Sequence, residues 1–168
     1  VESGKTQFFG KELNEVRNRI AYVPQRESVE WDFPASVYDV VAMGRLNPSR
    51  WWQRVTAADK EIIGHALKQV SMEDFQHRQI GQLSGGQQQR VFLARALAQQ
   101  ADLICMDEPF VGVDMASQEA ILNVLHNLRD AGKSIVMVHH DLSMVADHFD
   151  YVLLMNKGLE VAGETKQV

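Results

Sequence analysis

Two stretches of this chain could do chemistry on a phosphate. Leu103-Ile104-Cys105-Met106 is an unbroken apolar run that ends in Asp107-Glu108, and Pro109 stops it. Such a run reads as a buried strand, and strands of open α/β sheets deliver functional side chains at their carboxyl ends. One carboxylate there can hold Mg²⁺ through water, and a second can polarise an attacking water. Upstream, Leu83-Ser84-Gly85-Gly86-Gln87 leads into Gln88-Gln89-Arg90 and an Ala/Leu-rich helical run. A Ser-Gly-Gly turn at a helix start supplies unhindered N–H groups, a hydroxyl and the positive end of the helix dipole. Each element has a plainer reading, an exposed Asp-Glu turn in one case and a simple N-capped helix in the other. Their joint occurrence, with the whole octapeptide from Leu83 to Arg90, favours phosphate chemistry.

The elements that must position these groups alternate between strand and helix. Ser3 to Gly10 reads as a short strand, and Ile20-Ala21-Tyr22-Val23 as a second, stopped by Pro24. A loop through Trp31-Asp32-Phe33-Pro34 follows. Ser36 with Asp39 has the spacing of an N-cap and its returning carboxylate, for a helix that stops near Gly44. Asn47-Pro48 breaks the chain, and Trp51-Trp52 lies in the connection. Thr56 with Asp59 repeats the cap, and Ile62, Ile63, Ala66, Leu67 and Val70 fall on one helical face. Residues 36–80 therefore read as a small helical insert in an α/β core made of 1–35 and 81–168.

Within that core a helix is expected over 85–99. The strand 102–107 is apolar throughout, as one covered on both faces should be. Ile121, Val124, Leu125 and Leu128 make the next helical stripe, closed by Gly132. A strand over 134–139, a short helix near 142–147 and a hairpin around Lys157-Gly158 complete the chain. The fold class is α/β, a parallel sheet with covering helices.

Composition narrows the classes. The chain has 168 residues, 45% hydrophobic and 23% charged, enough for one domain with a proper core. Its net charge is −5, from 17 basic and 22 acidic residues, with no basic stripe, so nucleic acid is not an expected partner. The single Cys105 is expected to be a buried, inert thiol in a reducing compartment. There is no apolar run of about 18 residues and no signal peptide. The chain begins at Val1 rather than Met, and it is expected to start part-way through a larger protein.

With these residues in view, the chain resembles the ATP-binding subunits of ABC transporters over essentially its whole length. The resemblance implies a P-loop NTPase-type sheet with a small α-helical subdomain, incomplete at the N-terminus. Ser84, Gly85, Gly86 and Gln87 match the signature motif with Leu83, which in this family contacts the γ-phosphate of ATP held by the opposite subunit. Asp107 matches the Walker B aspartate, a Mg²⁺ ligand, and Glu108 the catalytic glutamate. Gln25 matches the Q-loop glutamine, which senses Mg²⁺ and the membrane subunit. Asp114 matches the D-loop aspartate, although Gly112-Val113-Asp114 replaces the more usual small residue-Leu-Asp. His140 matches the switch histidine, with His139 where Thr or Ser is more usual. Taken without the resemblance, His139 and His140 on one strand would point to opposite faces and could not readily share a metal.

One part of the family pattern is absent. Gly4-Lys5-Thr6 looks like the tail of a phosphate-binding loop, but the leading Gly would precede Val1 and Gln7-Phe8-Phe9 reads as strand rather than helix. As given, the chain is expected not to bind or hydrolyse ATP efficiently, although its parent would. The stretch Trp31 to Arg45 is similar to the corresponding region of manganese, zinc or iron importers. That implies a head-to-tail dimer or paired ABC subunit, membrane permease subunits, an extracytoplasmic metal-binding protein, and a cytoplasmic place on the inner face of the membrane. Iron-siderophore uptake, a soluble ABC ATPase of DNA repair or translation, and a truncated, catalytically dead binding module are the alternatives.

Overall fold

Side-chain caps decide where the four longer helices begin. In this computed structural model, which describes residues 4–46, 54–141 and 144–167, Ser36, Thr56 and Ser84 each stand in extended backbone. Each hydroxyl accepts from the N–H three residues on, while Asp39, Asp59 and Gln87 reach back to the cap's own N–H. Reciprocal capping of this kind satisfies N–H groups that a helix start otherwise leaves without acceptors. The caps open α2 (Val37–Ala42), α3 (Ala57–Gln69) and α4 (Gly85–Gln99), after a single-turn α1 (Leu13–Val16). Asp114 opens α5 (Met115–Asp130) by accepting from the Ser117 N–H.

Asp59 also takes the Nε–H of Arg45 at 2.8 Å. The hydrogen bonds from Thr56 and then from Arg45 hold its carboxyl down at about 2, from an ordinary 3.8. A lowered carboxyl stabilises the fold fully above its unfolded value, and the contribution is lost as pH falls through the folded one. Amide protection in the first turn of α3, measured relative to the intrinsic exchange rate at each pH, is therefore expected to fall as pH drops from about 4 to 2, and Asp59→Asn to remove that dependence. A pH profile identical in the variant would refute it.

The described residues fall into two compact units, 1–138 and 139–168. In the first, β1 (Ile20–Val23), β2 (Leu103–Asp107) and β3 (Ser134–Val138) form a parallel sheet in the order β1-β2-β3. Ala21, Ile104 and Ile135 are in register, as are Val23, Met106 and Met137. The β1 and β2 members of these rows are buried, with Leu93 of α4 and Ile121 and Leu125 of α5 in the same core. Gly44 belongs to this packing. The chain continues past α2 in a 3-10 turn, Met43–Arg45, and a Cβ on Gly44 would lie 2.3 Å from the Arg95 carbonyl. Close approach of α4, not a helix stop, requires glycine there.

The other sheet face corrects the expectation of a strand covered on both sides. Tyr22, Val136 and Val138 are exposed and Cys105 is half-buried, its thiol pushed up by partial burial. Crossovers between parallel strands are right-handed, so a strand order that runs in one direction places α4 and α5 on the same face. Among the described residues β1 pairs only with β2, and two of its carbonyls take side chains of α4. Gln99 Nε2 donates to the Ile20 carbonyl at 2.7 Å and Arg95 donates to the Tyr22 carbonyl at 2.9 Å.

Two other expectations change. Phe8 and Lys11 form an isolated antiparallel bridge around Phe9 (φ 54°) and Gly10 (φ 74°), a tight turn rather than a strand. β3 ends at Val138, one residue early. Asn47-Pro48 and Trp51-Trp52 lie outside the described residues, as do 142 and 143 of the span expected for the short helix; the helix seen there is α6 (Val145–His148). In the second unit, β4 (Tyr151–Asn156) and β5 (Gly158–Glu164) pair antiparallel around Lys157 (φ 56°), the hairpin expected from sequence. Among the described residues no helix is long and apolar enough to cross a membrane.

Candidate active site

Because β1 and β2 are parallel neighbours, their carboxyl ends bring Gln25 to the Asp107-Glu108 pair. Gln25 Nε2 donates to Glu108 Oε2 at 3.2 Å, across 83 residues of sequence. The Tyr22 hydroxyl donates to Asp107 Oδ2 at 3.3 Å. Glu108 is aimed by its backbone: its N–H donates to the Val138 carbonyl at 3.0 Å, and its φ is +42°. A non-glycine residue there is strained and persists only when its surroundings hold it. The β3 bond and buried Pro109 and Phe110 do so.

The second cluster lies at the start of α4. Ser84 is exposed, and its Oγ accepts from the Gln87 N–H at 3.3 Å while Gln87 Oε1 accepts from the Ser84 N–H at 3.0 Å. The hydroxyl keeps its own proton to donate, and the N–H groups of Gly85 and Gly86 have no acceptor within the helix. The glycines have a further role that the sequence did not reveal. A Cβ on Gly86 would lie 2.5 Å from Ser117 Oγ and 3.0 Å from Asp114 Oδ2, and one on Gly85 would lie 3.0 Å from the Gly112 carbonyl. They let the starts of α4 and α5 meet. Asp114, exposed beside them, is held below the usual carboxylate range by the Ser117 N–H and then the Ser117 hydroxyl.

His140 belongs to the second unit, where it is exposed and its ring centroid lies 5.4 Å from that of His139. Both follow the last residue of β3, so the alternation argument against a shared metal does not apply to them. Among the described residues no group of three metal-ligating side chains occurs. The structure thus joins Gln25, Asp107 and Glu108 in one cluster and Ser84, Gly85, Gly86, Gln87 and Asp114 in another.

Sequence reasoning missed Arg26 and Gln88, which meet between the clusters: Arg26 Nε donates to Gln88 Oε1 at 3.0 Å. Gln88 is 2% exposed, and a buried polar side chain on an amphipathic helix gives no signal in the hydropathy pattern.

The ABC transporter family model matches residues 1–111, a span that includes Gln25, the Ser84–Gln87 turn, Asp107 and Glu108. The chain belongs to the ABC transporter family. It is 51% identical over 166 residues to the manganese transport system ATP-binding protein MntB of Halalkalibacterium halodurans, covering 99% of this chain and 66% of that protein. It is 52% identical over 156 residues to the zinc transport system ATP-binding protein TroB of Treponema pallidum, covering 93% and 59%. Among solved structures, cbiO1 of Clostridium perfringens, part of the ABC transporter complex cbiONQ, superposes with a TM-score of 0.81 at 26% identity, over 99% of this chain and 68% of that one. The chain thus spans just under two thirds of the length of the first of these relatives. The ABC fold expected from the motifs is the fold observed.

Proposed function

We propose that this ABC chain is the hydrolytic part of a subunit that uses ATP to drive import of a transition metal ion, manganese or zinc. The observation that carries the hydrolytic reading is the Gln25–Glu108 hydrogen bond at the ends of two parallel strands, 3.2 Å long. In that reading Glu108 accepts a proton from the water that attacks the γ-phosphate. Gln25 holds the carboxylate in place through Nε2, which leaves Oε1 to face a cation or its water. Asp107 and that amide oxygen are hard oxygen donors, a set that fits Mg²⁺. Mg²⁺, when bound with ATP, neutralises phosphate charge. Ser84, Gly85 and Gly86, with Gln87 and Asp114 supporting the turn, present donors to the γ-phosphate of a nucleotide held by a paired subunit. His140, by its match to the family's switch histidine, is read as a residue that contacts a γ-phosphate.

The same reading assigns 36–80 to a helical subdomain and the remainder to the α/β core. It places the subunit against membrane permease subunits at the cytoplasmic face, supplied by an extracytoplasmic metal-binding protein. The transport names of the relatives support manganese and zinc, and iron remains the alternative cargo. Deleting the gene and restoring the full-length product is expected to lower and then recover manganese or zinc accumulation, measured by elemental analysis of cells. Unchanged manganese and zinc, with a deficit in iron uptake, would overturn the cargo assignment. No deficit in any of the three would overturn the importer reading.

A further inference from the structure

We propose that Arg26 is a positioning residue that ties the segment carrying Gln25 to the start of α4, so that the Gln25–Glu108 cluster and the Ser84–Gln87 turn are aligned together. The inference rests on the hydrolytic reading given above. Arg26 is held against α4 at both its ends. Its side chain donates to Gln88, and its main-chain carbonyl accepts from Trp31 Nε1 at 2.9 Å. Trp31 in turn packs edge-on against Phe92, with ring centroids 5.3 Å apart. Gln88 and Phe92 are four residues apart on α4 and so share a face.

The orientation of the Gln88 amide is fixed, because its Nε2 donates to the Ile80 carbonyl at 3.2 Å and only Oε1 is left for Arg26. The guanidinium also lies over the two glycines where the turns meet. A Cβ on Gly85 would come 3.2 Å from Arg26 Nε, and one on Gly112 would come 3.8 Å from Nη1. Arg26 therefore touches the segment after β1, the first turn of α4 and the turn leading to Asp114. Its neighbour Gln25 is further pinned by Ser28, whose hydroxyl and N–H both donate to the Gln25 carbonyl. A shift of the Gln25 backbone would also pull on the Arg26–Gln88 bond, because the two residues are adjacent and the Gln25 carbonyl is held by Ser28.

The test uses the full-length gene product, with Arg26→Ala, Gln88→Ala, the double variant and Glu108→Gln as reference. Arg26→Ala is expected to lower kcat for ATP hydrolysis by about tenfold to a hundredfold, the scale of a small misplacement of catalytic groups, with a smaller change in KM. The double variant is expected to lose less than the product of the two single losses, since both changes remove the same Arg26–Gln88 bond. Arg26→Lys keeps the charge without the planar fork and is expected to fall in between. It carries the test if the alanine variant does not fold. Unchanged kcat in the folded variants, or losses at Arg26 and Gln88 that simply multiply, would overturn the proposal. Turnover retained by Glu108→Gln would instead overturn the hydrolytic reading beneath it.

Discussion

Glu108→Gln is expected to lower ATP turnover of the full-length protein by about 10²- to 10⁴-fold, the usual contribution of a positioned general base. The substitution is nearly isosteric. Its amide oxygen can still accept from Gln25 Nε2, which now donates to the carboxylate at 3.2 Å. The left-handed backbone and the N–H bond to Val138 are unchanged, because neither involves the side chain. What is lost is the carboxylate's charge, and with it the capacity to take a proton. Nucleotide binding should therefore persist while hydrolysis fails. Equilibrium binding and single-turnover hydrolysis, measured on one preparation, separate the two. Near-normal turnover with intact binding would show that another group takes the proton.

Gly86→Ala is expected to destabilise the fold by about 1–3 kcal/mol, the usual cost of overpacking. The sign is a contest. At an exposed helical position alanine gains up to about 1 kcal/mol over glycine. Here the new methyl would meet Ser117 Oγ at 2.5 Å, Ser117 Cβ at 2.6 Å and Asp114 Oδ2 at 3.0 Å. Ser117 is buried in the first turn of α5, and rotating its hydroxyl away would leave its Cβ still 2.6 Å from the new methyl. Either the two helix starts separate or the α4 turn unwinds, and both displace the Ser84–Gln87 donors. Urea denaturation of Gly86→Ala, compared with Gly86→Ala/Ser117→Gly, checks the cause. Removing the opposing side chain should restore much of the lost stability. A double variant no more stable than the single would locate the strain elsewhere.

What could be read from sequence was local. The pairs Ser36/Asp39 and Thr56/Asp59 announce helix starts because cap and partner are three residues apart, and both capping boxes form. The carboxylates after β2 are equally legible, since an apolar run and a proline bracket them. Gln25 lies 83 residues from Glu108, and nothing in its spacing reveals the contact; family resemblance drew attention to it. Arg26–Gln88, 62 residues apart, had no such help. The apolar content of β2 was clear, but which face the helices cover depends on strand order and crossover hand. Gln7-Phe8-Phe9 has the side chains of a strand, yet Phe9 at φ 54° turns the chain. Backbone geometry overrode propensity there.

The two edges of the β1-β2-β3 sheet are chemically unlike. At β1, Gln99 and Arg95 occupy the carbonyls of Ile20 and Tyr22, so an incoming strand would have to displace two side-chain donors, one of them cationic. At β3, no further strand follows among the described residues, and Val136 and Val138 stand exposed. An open strand edge beside apolar side chains is a template for pairing. Of the two edges, β1 is therefore the one at which a pairing strand would meet side-chain competitors for its backbone acceptors.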